Sequence, residues 1–165
     1  MKIILIMGLP GSGKTWLAER LIKHIDYCAW YNADFLRKFA NDWDFEIEGR
    51  MRQANRMKTF ADFEKSHGRW VVCDFVAPTE KARETFAPDY IIWMDTISEG
   101  RVVAEKLNDL KNINNLPFDA NSLSTSKEFD ETNKLFEKPN KIDIHITRFL
   151  SDDEIKVLAE KIKNV

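Results

Sequence analysis

The chain has few of the residues that would tie it to an oxidising compartment, a membrane or a polyanion. Its 165 residues hold two cysteines, Cys28 and Cys73. That is too few for a disulfide framework and lacks metal-ligand spacing, so a reducing cytoplasm is expected. No apolar run is long enough to span a bilayer, and the first one, Lys2 to Met7, is also too short for a signal segment. Charge of one sign is missing too. The 25 basic and 27 acidic residues leave a net charge of -2 at pH 7, so no overall field recruits nucleic acid or an anionic membrane surface. A small-molecule partner is expected instead, no membrane is, and nucleic acid is disfavoured. His24, His67 and His145 are scattered without ligand spacing and read as structural. There is no repeat and no linker; the length suits one domain, residues 1–165, able to bury roughly 70% of its unfolded surface. A homodimer is compatible with the sequence, which does not fix the oligomeric state.

Glycine is sparse as well, six residues in all, yet three of them stand in one stretch. The apolar run ends in Gly8-Leu9-Pro10-Gly11-Ser12-Gly13-Lys14-Thr15, a complete G-x-x-x-x-G-K-[ST] motif. Glycines let successive N–H groups and a helix N-terminus converge on one anion, the lysine ammonium bridges the outer phosphates, and the threonine hydroxyl ligates Mg²⁺. The context fits: a β-branched strand precedes the loop, and Leu17, Leu21 and Ile25 follow at helical spacing. Gly8, Pro10, Gly11, Ser12, Gly13, Lys14 and Thr15 are therefore expected to bind ATP with Mg²⁺.

Downstream, strand and helix patterns alternate. Strands are expected at Tyr27 to Asn32, Trp70 to Phe75, Tyr90 to Asp95 and Lys141 to Ile146, and helices at Asp34 to Phe39, Glu48 to His67, Thr79 to Phe86 and Ser98 to about Leu110. Ser151 to Glu154 reads as a capping box opening a last helix with Ile155, Leu158 and Ile162 on one face. The fold class is α/β, a mainly parallel sheet with helices on both faces in three layers. Asn112 to Ser126 is rich in Asn and Ser and reads as mobile, with Phe129 and Phe136 flanking it.

In such folds the chemistry sits at the C-terminal ends of the strands. Asp34 follows the second strand and precedes Arg37 by three residues, so a carboxylate and a guanidinium project from one helical turn. Asp34 reads equally as a proton acceptor or as a helix N-cap. Arg50 shares the helix face of Ala54, Met57 and Ala61; a lone arginine on a core-facing stripe needs a partner, either an anionic ligand or a structural ion pair. Arg52 and Arg56 fall on another face and read as solvated. Asp74 and Asp95 both end apolar strands, where a carboxylate can support Mg²⁺. Asp74 is preferred if the third strand lies beside the first, which leaves Asp95 a strand-end or cap residue.

The ordered segments GLPGSGKT, NADFLR, GRMRQANRM, FVAPTEKAR and KEFDETNKLFEKP resemble adenylylsulfate kinase, whose segments read GxSGSGKT, DGDNxR, DRxENxRR, FISPxRxxR and KxFTGIxxPYExP. The resemblance spans the chain from the phosphate loop to Pro139 and implies a P-loop kinase fold. It implies phosphoryl transfer from MgATP to the ribose 3′-hydroxyl of adenosine 5′-phosphosulfate. It makes Asp34 the catalytic base, places Arg37 and Arg50 on the phosphosulfate and Phe129 on the acceptor adenine. Lys127 becomes a catalytic residue in a lid around residues 111–128. The departures are specific: Asn32 and Phe35 replace the first Asp and the Asn of DGDNxR, and Gly49, Arg52, Gln53 and Asn55 alter the next segment. Lys38 stands where the family has a second stacking aromatic, and Asp74 where it has a small apolar residue, which suggests a metal carboxylate of this chain's own. Two other readings stay open: a P-loop kinase of another nucleoside, nucleotide or polynucleotide group, and a nucleotide-binding switch.

Overall fold

The computed structural model describes residues 1–98 and 126–165, with side chains from residue 130 onward in the second part. The expected helix from Ser98 to Leu110 lies outside the described residues, and so does nearly all of the expected lid.

Five parallel strands form one sheet: β1 (Ile3–Met7), β2 (Cys28–Asn32), β3 (Trp70–Asp74), β4 (Tyr90–Met94) and β5 (Ile144–Ile146), in the spatial order β2-β3-β1-β4-β5. The helices are α1 (Lys14–Leu21), α2 (Ala33–Ala40), α3 (Ile47–Ser66), α4 (Glu80–Phe86), α5 (Ser126–Leu135) and α6 (Asp152–Lys163). Every residue of β1 is buried, as a central strand covered on both faces requires. Its side chains alternate between two cores. Ile4 and Ile6 join Leu17 and Leu21 of α1 and Ile155, Leu158 and Ile162 of α6. Ile3, Leu5 and Met7 join Leu36 of α2, Met57 and Ala61 of α3 and Phe86 of α4. The result is the expected three-layer arrangement.

Local chemistry sets the element ends. β2 begins one residue later than the pattern suggested because Tyr27 is left-handed, at φ 55°, and largely exposed. The α6 capping box forms in full, with Ser151 Oγ accepting from the Glu154 N–H and the Glu154 carboxylate accepting from the Ser151 N–H. Because β3 lies beside β1, the C-terminal ends of β1, β2 and β3 bring the phosphate-binding segment, Asn32 and Asp74 to one edge of the sheet.

Candidate active site

Between β1 and α1 the chain turns through Gly8, Gly11 and Gly13, all at positive φ. Two of these glycines are needed for space as well as for conformation. A Cβ on Gly8 would collide with the Met94 carbonyl oxygen and stand 2.7 Å from Ser12 Oγ, and one on Gly13 would stand 2.7 Å from the Phe149 ring. Gly13 is the N-cap of α1 and offers no side chain to the first-turn N–H groups, which leaves that end of the helix suited to an anion. The Ser12 N–H donates to Leu9 O at 3.1 Å, and Thr96 Oγ1 donates to Ser12 O at 2.7 Å, so the loop's shape is held from inside and from the end of β4. Ser12 Oγ is fully buried with no hydrogen-bond partner among the described residues. An orphaned hydroxyl in a cradle that tolerates no Cβ fits a phosphate. Lys14 folds back over the loop, its Nζ 2.9 Å from Leu9 O.

Directly below the loop lies a buried polar cluster. Thr15 Oγ1 donates to Asp74 Oδ2 at 2.8 Å, Asn32 Nδ2 donates to the same oxygen at 2.8 Å, and Trp30 Nε1 donates to Asp74 Oδ1 at 2.7 Å. Asp74 is 2% exposed; burial raises its carboxyl pKa, while the indole, hydroxyl and amide donors and the nearby Lys14 ammonium pull it down. Among the described residues no three His, Cys, Asp or Glu side chains gather as a metal cage. One hydroxyl and one carboxylate beside a phosphate cradle instead match Mg²⁺, which is held by few protein ligands together with substrate phosphates. Asp95 points elsewhere, accepting from His145 Nε2 at 2.8 Å, with the imidazole stacked on Trp93. Sequence reasoning singled out Asp74 but missed Trp30 and treated Asn32 only as a departure from a motif. The two-residue alternation Trp30, Asn32 along β2 is the signal that could have placed both on the Asp74 side.

On the neighbouring strand end, Asn32 caps α2: its Oδ1 accepts from the N–H groups of Asp34 at 3.0 Å and Phe35 at 3.1 Å. The cap alternative for Asp34 is thereby corrected, since Asn32 fills that role and Asp34 sits in the first turn of α2. Arg37 is 5% exposed, donates from Nη1 to the carbonyls of Asp42 at 3.0 Å and Asp44 at 2.9 Å, and lies over the Phe45 ring. Burial pushes its guanidinium down to about 10, against the pull of Asp42 and Asp34. Arg50 is half-buried, with Nε 2.6 Å from Phe45 O and Nη2 3.1 Å from Thr132 Oγ1, so it joins the start of α3 to α5.

Arg52 is exposed, as expected for a surface charge, whereas the expectation of a solvated Arg56 is corrected, its side chain being 20% exposed. Both bond Asp42, at 2.7 Å each, and Arg56 also bonds Gln53, whose Nε2 donates to Ala33 O at 3.0 Å. Gly49 admits this arrangement because a Cβ there would run into Asp44. Farther round, buried Arg83 bonds Ala77 O, the Glu80 carboxylate and Glu137 O, which fastens the segment after α5 against the start of α4. The side chains of Lys127 and Phe129 lie outside the described residues, although both positions belong to α5.

The family model for adenylylsulphate kinase matches residues 1–147. A probable adenylyl-sulfate kinase of Aeropyrum pernix is 32% identical over 97 residues, covering 49% of this chain and 47% of that protein. The chain thus spans about half the length of this curated relative in the match. Among solved structures, the APS kinase CysC of Mycobacterium tuberculosis in complex with AMPPNP and APS superposes with a TM-score of 0.65 at 20% identity, over 99% of this chain and 95% of that one. A sugar kinase from Janibacter superposes with a TM-score of 0.64 at 16% identity, over 100% and 95%. At these identities the structural likeness speaks for the fold.

Proposed function

The chain belongs to the adenylylsulphate kinase family, and from that premise we propose that it transfers the γ-phosphoryl group of MgATP to the 3′-hydroxyl of adenosine 5′-phosphosulfate. The observation that carries this reading is the convergence on one sheet edge of the glycine cradle, the Thr15–Asp74 pair and the first turn of α2 with Asp34. MgATP, when bound, supplies the electrophilic phosphorus and the divalent charge that offsets the phosphate oxygens.

The residues divide the rest of the work. Loop N–H groups and Ser12 Oγ hold the phosphates, and Lys14 exchanges Leu9 O for a phosphate oxygen. Thr15 donates its hydroxyl hydrogen bond to Asp74, which leaves an oxygen lone pair that would serve the metal. Asp34 accepts the proton of the attacking hydroxyl as its oxygen bonds phosphorus and the bond to the ADP oxygen breaks. Arg37 keeps Nη1 on two carbonyls and has further N–H groups for the acceptor's anion. Arg50 stands beside it across Phe45, and Phe129 and Lys127 are assigned to the acceptor adenine and the transferring charge.

A second reading, a kinase of another hydroxyl acceptor, is favoured by the commitment of Arg52 and Arg56 to Asp42, which removes two cations from the pool available for a phosphosulfate. ADP release measured with MgATP alone and with adenosine 5′-phosphosulfate, nucleosides, nucleotides, sugars and 5′-hydroxyl DNA separates the readings. Stimulation by adenosine 5′-phosphosulfate above the others is expected. Stimulation by a different acceptor moves the assignment to it, and equal release with every addition describes a switch.

A further inference from the structure

Asn32 and Asp74 are register partners on adjacent parallel strands, and both side chains end on the same hydroxyl. Asn32 Nδ2 lies 3.1 Å and Asp74 Oδ2 2.8 Å from Thr15 Oγ1, and the amide and the carboxylate are 2.8 Å from each other. Three donors on the two oxygens of Asp74 suit an ionised carboxylate, so that the pair holds one negative charge. Two carboxylates at this distance in a buried place would repel, one of them taking up a proton, and two amides would leave the hydroxyl with no anion. We propose that Asn32 and Asp74 form one interchangeable unit, in which either strand can carry the carboxylate that sets Thr15 for the metal, and that Trp30 is the positioning residue that makes β3 the better supported place for it. The proposal rests on the reading of Thr15 and Asp74 as metal-site residues.

Hydrogen-bond accounting supports exchange. Asp74 accepts three bonds, from Trp30, Asn32 and Thr15, while Asn32 accepts two from the α2 backbone through Oδ1 and donates through Nδ2. With the residues exchanged, a carboxylate at position 32 still caps α2 through one oxygen, since Asp and Asn are equally good caps. Its other oxygen accepts from Thr15 and from the amide now at position 74. That amide's oxygen still accepts from Trp30. No donor is orphaned and the net charge of the cluster is unchanged. The asymmetry lies in the indole, because a bond from Trp30 Nε1 to a carboxylate is about twice as strong as one to an amide oxygen. Trp30 therefore supports a carboxylate at position 74 more strongly than one placed at position 32.

The test is calorimetric titration of ADP with and without Mg²⁺, reading the enhancement of affinity by the metal alongside circular dichroism melts. Wild type is expected to show an enhancement, Asp74→Asn to lose most of it with Mg²⁺-free ADP affinity retained, and the double variant Asn32→Asp/Asp74→Asn to recover it to within about threefold. Trp30→Phe keeps a ring and removes the N–H, and should cut the enhancement about tenfold in the native background, the scale of second-shell effects on metal affinity. In the exchanged background it should cut it less. A double variant no better than Asp74→Asn alone, or one that does not fold despite its balanced hydrogen bonds, overturns the exchange. An unchanged enhancement in Trp30→Phe reduces Trp30 to packing and overturns its assignment. If wild type itself shows no enhancement, the metal reading fails first, and the proposal with it.

Discussion

At the glycine loop, position is set by backbone: Gly8 and Gly13 are confined by the Met94 carbonyl and the Phe149 ring, and the buried Asp74 receives donors on both oxygens. Across the sheet edge, position is set by long side chains. Arg37, Arg50, Arg52 and Arg56 are held by loop carbonyls, a threonine hydroxyl, an amide and the Asp42 carboxylate. A backbone cradle needs little rearrangement to receive its ligand, whereas the guanidinium groups already have partners that an acceptor must match or displace. The two glycines of the first side accordingly tolerate little variation in residue type. The second can keep its arginines while its chemistry shifts, as Gly49 and the Asp42 cluster illustrate.

Substitutions that leave the fold alone can break this contrast. The largest effect is expected for Asp34→Asn, which keeps shape and cannot take a proton: kcat should fall by about 10²–10⁴ with MgATP affinity little changed. Steady-state kinetics with a parallel nucleotide titration checks it, and a collapse of MgATP affinity would move Asp34 to the metal site. Next comes Lys14→Ala, expected to lower turnover by about 10²–10³ through loss of one preorganised donor, with an unaltered melting curve. Native turnover in that variant would sink the kinase assignment.

Arg50→Ala sharpens the comparison, because its effect should appear on the acceptor side only. Charge-assisted hydrogen bonds contribute about 1.5–3 kcal/mol, so the acceptor Kd should rise roughly ten- to a hundredfold while ADP affinity stays put. Calorimetry of adenosine 5′-phosphosulfate into the ADP complex decides, and equal affinity in both proteins makes Arg50 a tie between α3 and α5. The smallest effect belongs to Asp42→Asn. Bonds from Arg52, and then Arg56, hold the Asp42 carboxyl well below its usual range. A carboxyl depressed in the folded state is protonated first in the unfolded chain, so its stabilisation is complete above the ordinary Asp value of about 3.9, declines below it and is gone once pH has fallen through the lower folded-state value. The variant should lose about 1 kcal/mol or less at pH 7, given that Arg52 is half exposed. The gap between its melts and those of wild type should begin to narrow below about pH 4 and close only once pH has fallen through the depressed folded-state value. A gap that persists in acid would show that the site depends on something other than this charge.

Much of the frame was legible in the residues because local rules fix it. The glycine spacing, the alternating apolar runs and the Ser151 to Glu154 box each specify an element within a few neighbours, and β1, α1 and α6 form as expected. Asp74 could be favoured over Asp95 only on the condition that β3 adjoins β1, a condition the sheet order meets. Less legible was anything settled by contacts distant in sequence. Trp30 reaches Asp74 across 44 positions; Asn32 takes the cap that Asp34 was weighed for; and Arg56 finds Asp42 in a loop that helical periodicity says nothing about. Periodicity can place Arg50 on the inner face, but whether it meets a ligand, a carbonyl or Thr132 is a tertiary matter.

The position of β1 in the sheet has a consequence for how the chain acquires its shape. Ile3 pairs with Val71 and Ile4 with Tyr90, so the middle of the sheet comes from a segment synthesised long before either neighbour. At about 5–20 residues per second on the ribosome, that wholly apolar strand waits several seconds with neither edge paired to another strand. Only when Tyr90–Met94 has emerged can both sides close. Such long-range pairing slows folding, and the same five residues that anchor the finished sheet are, until then, open to mispairing with another nascent copy.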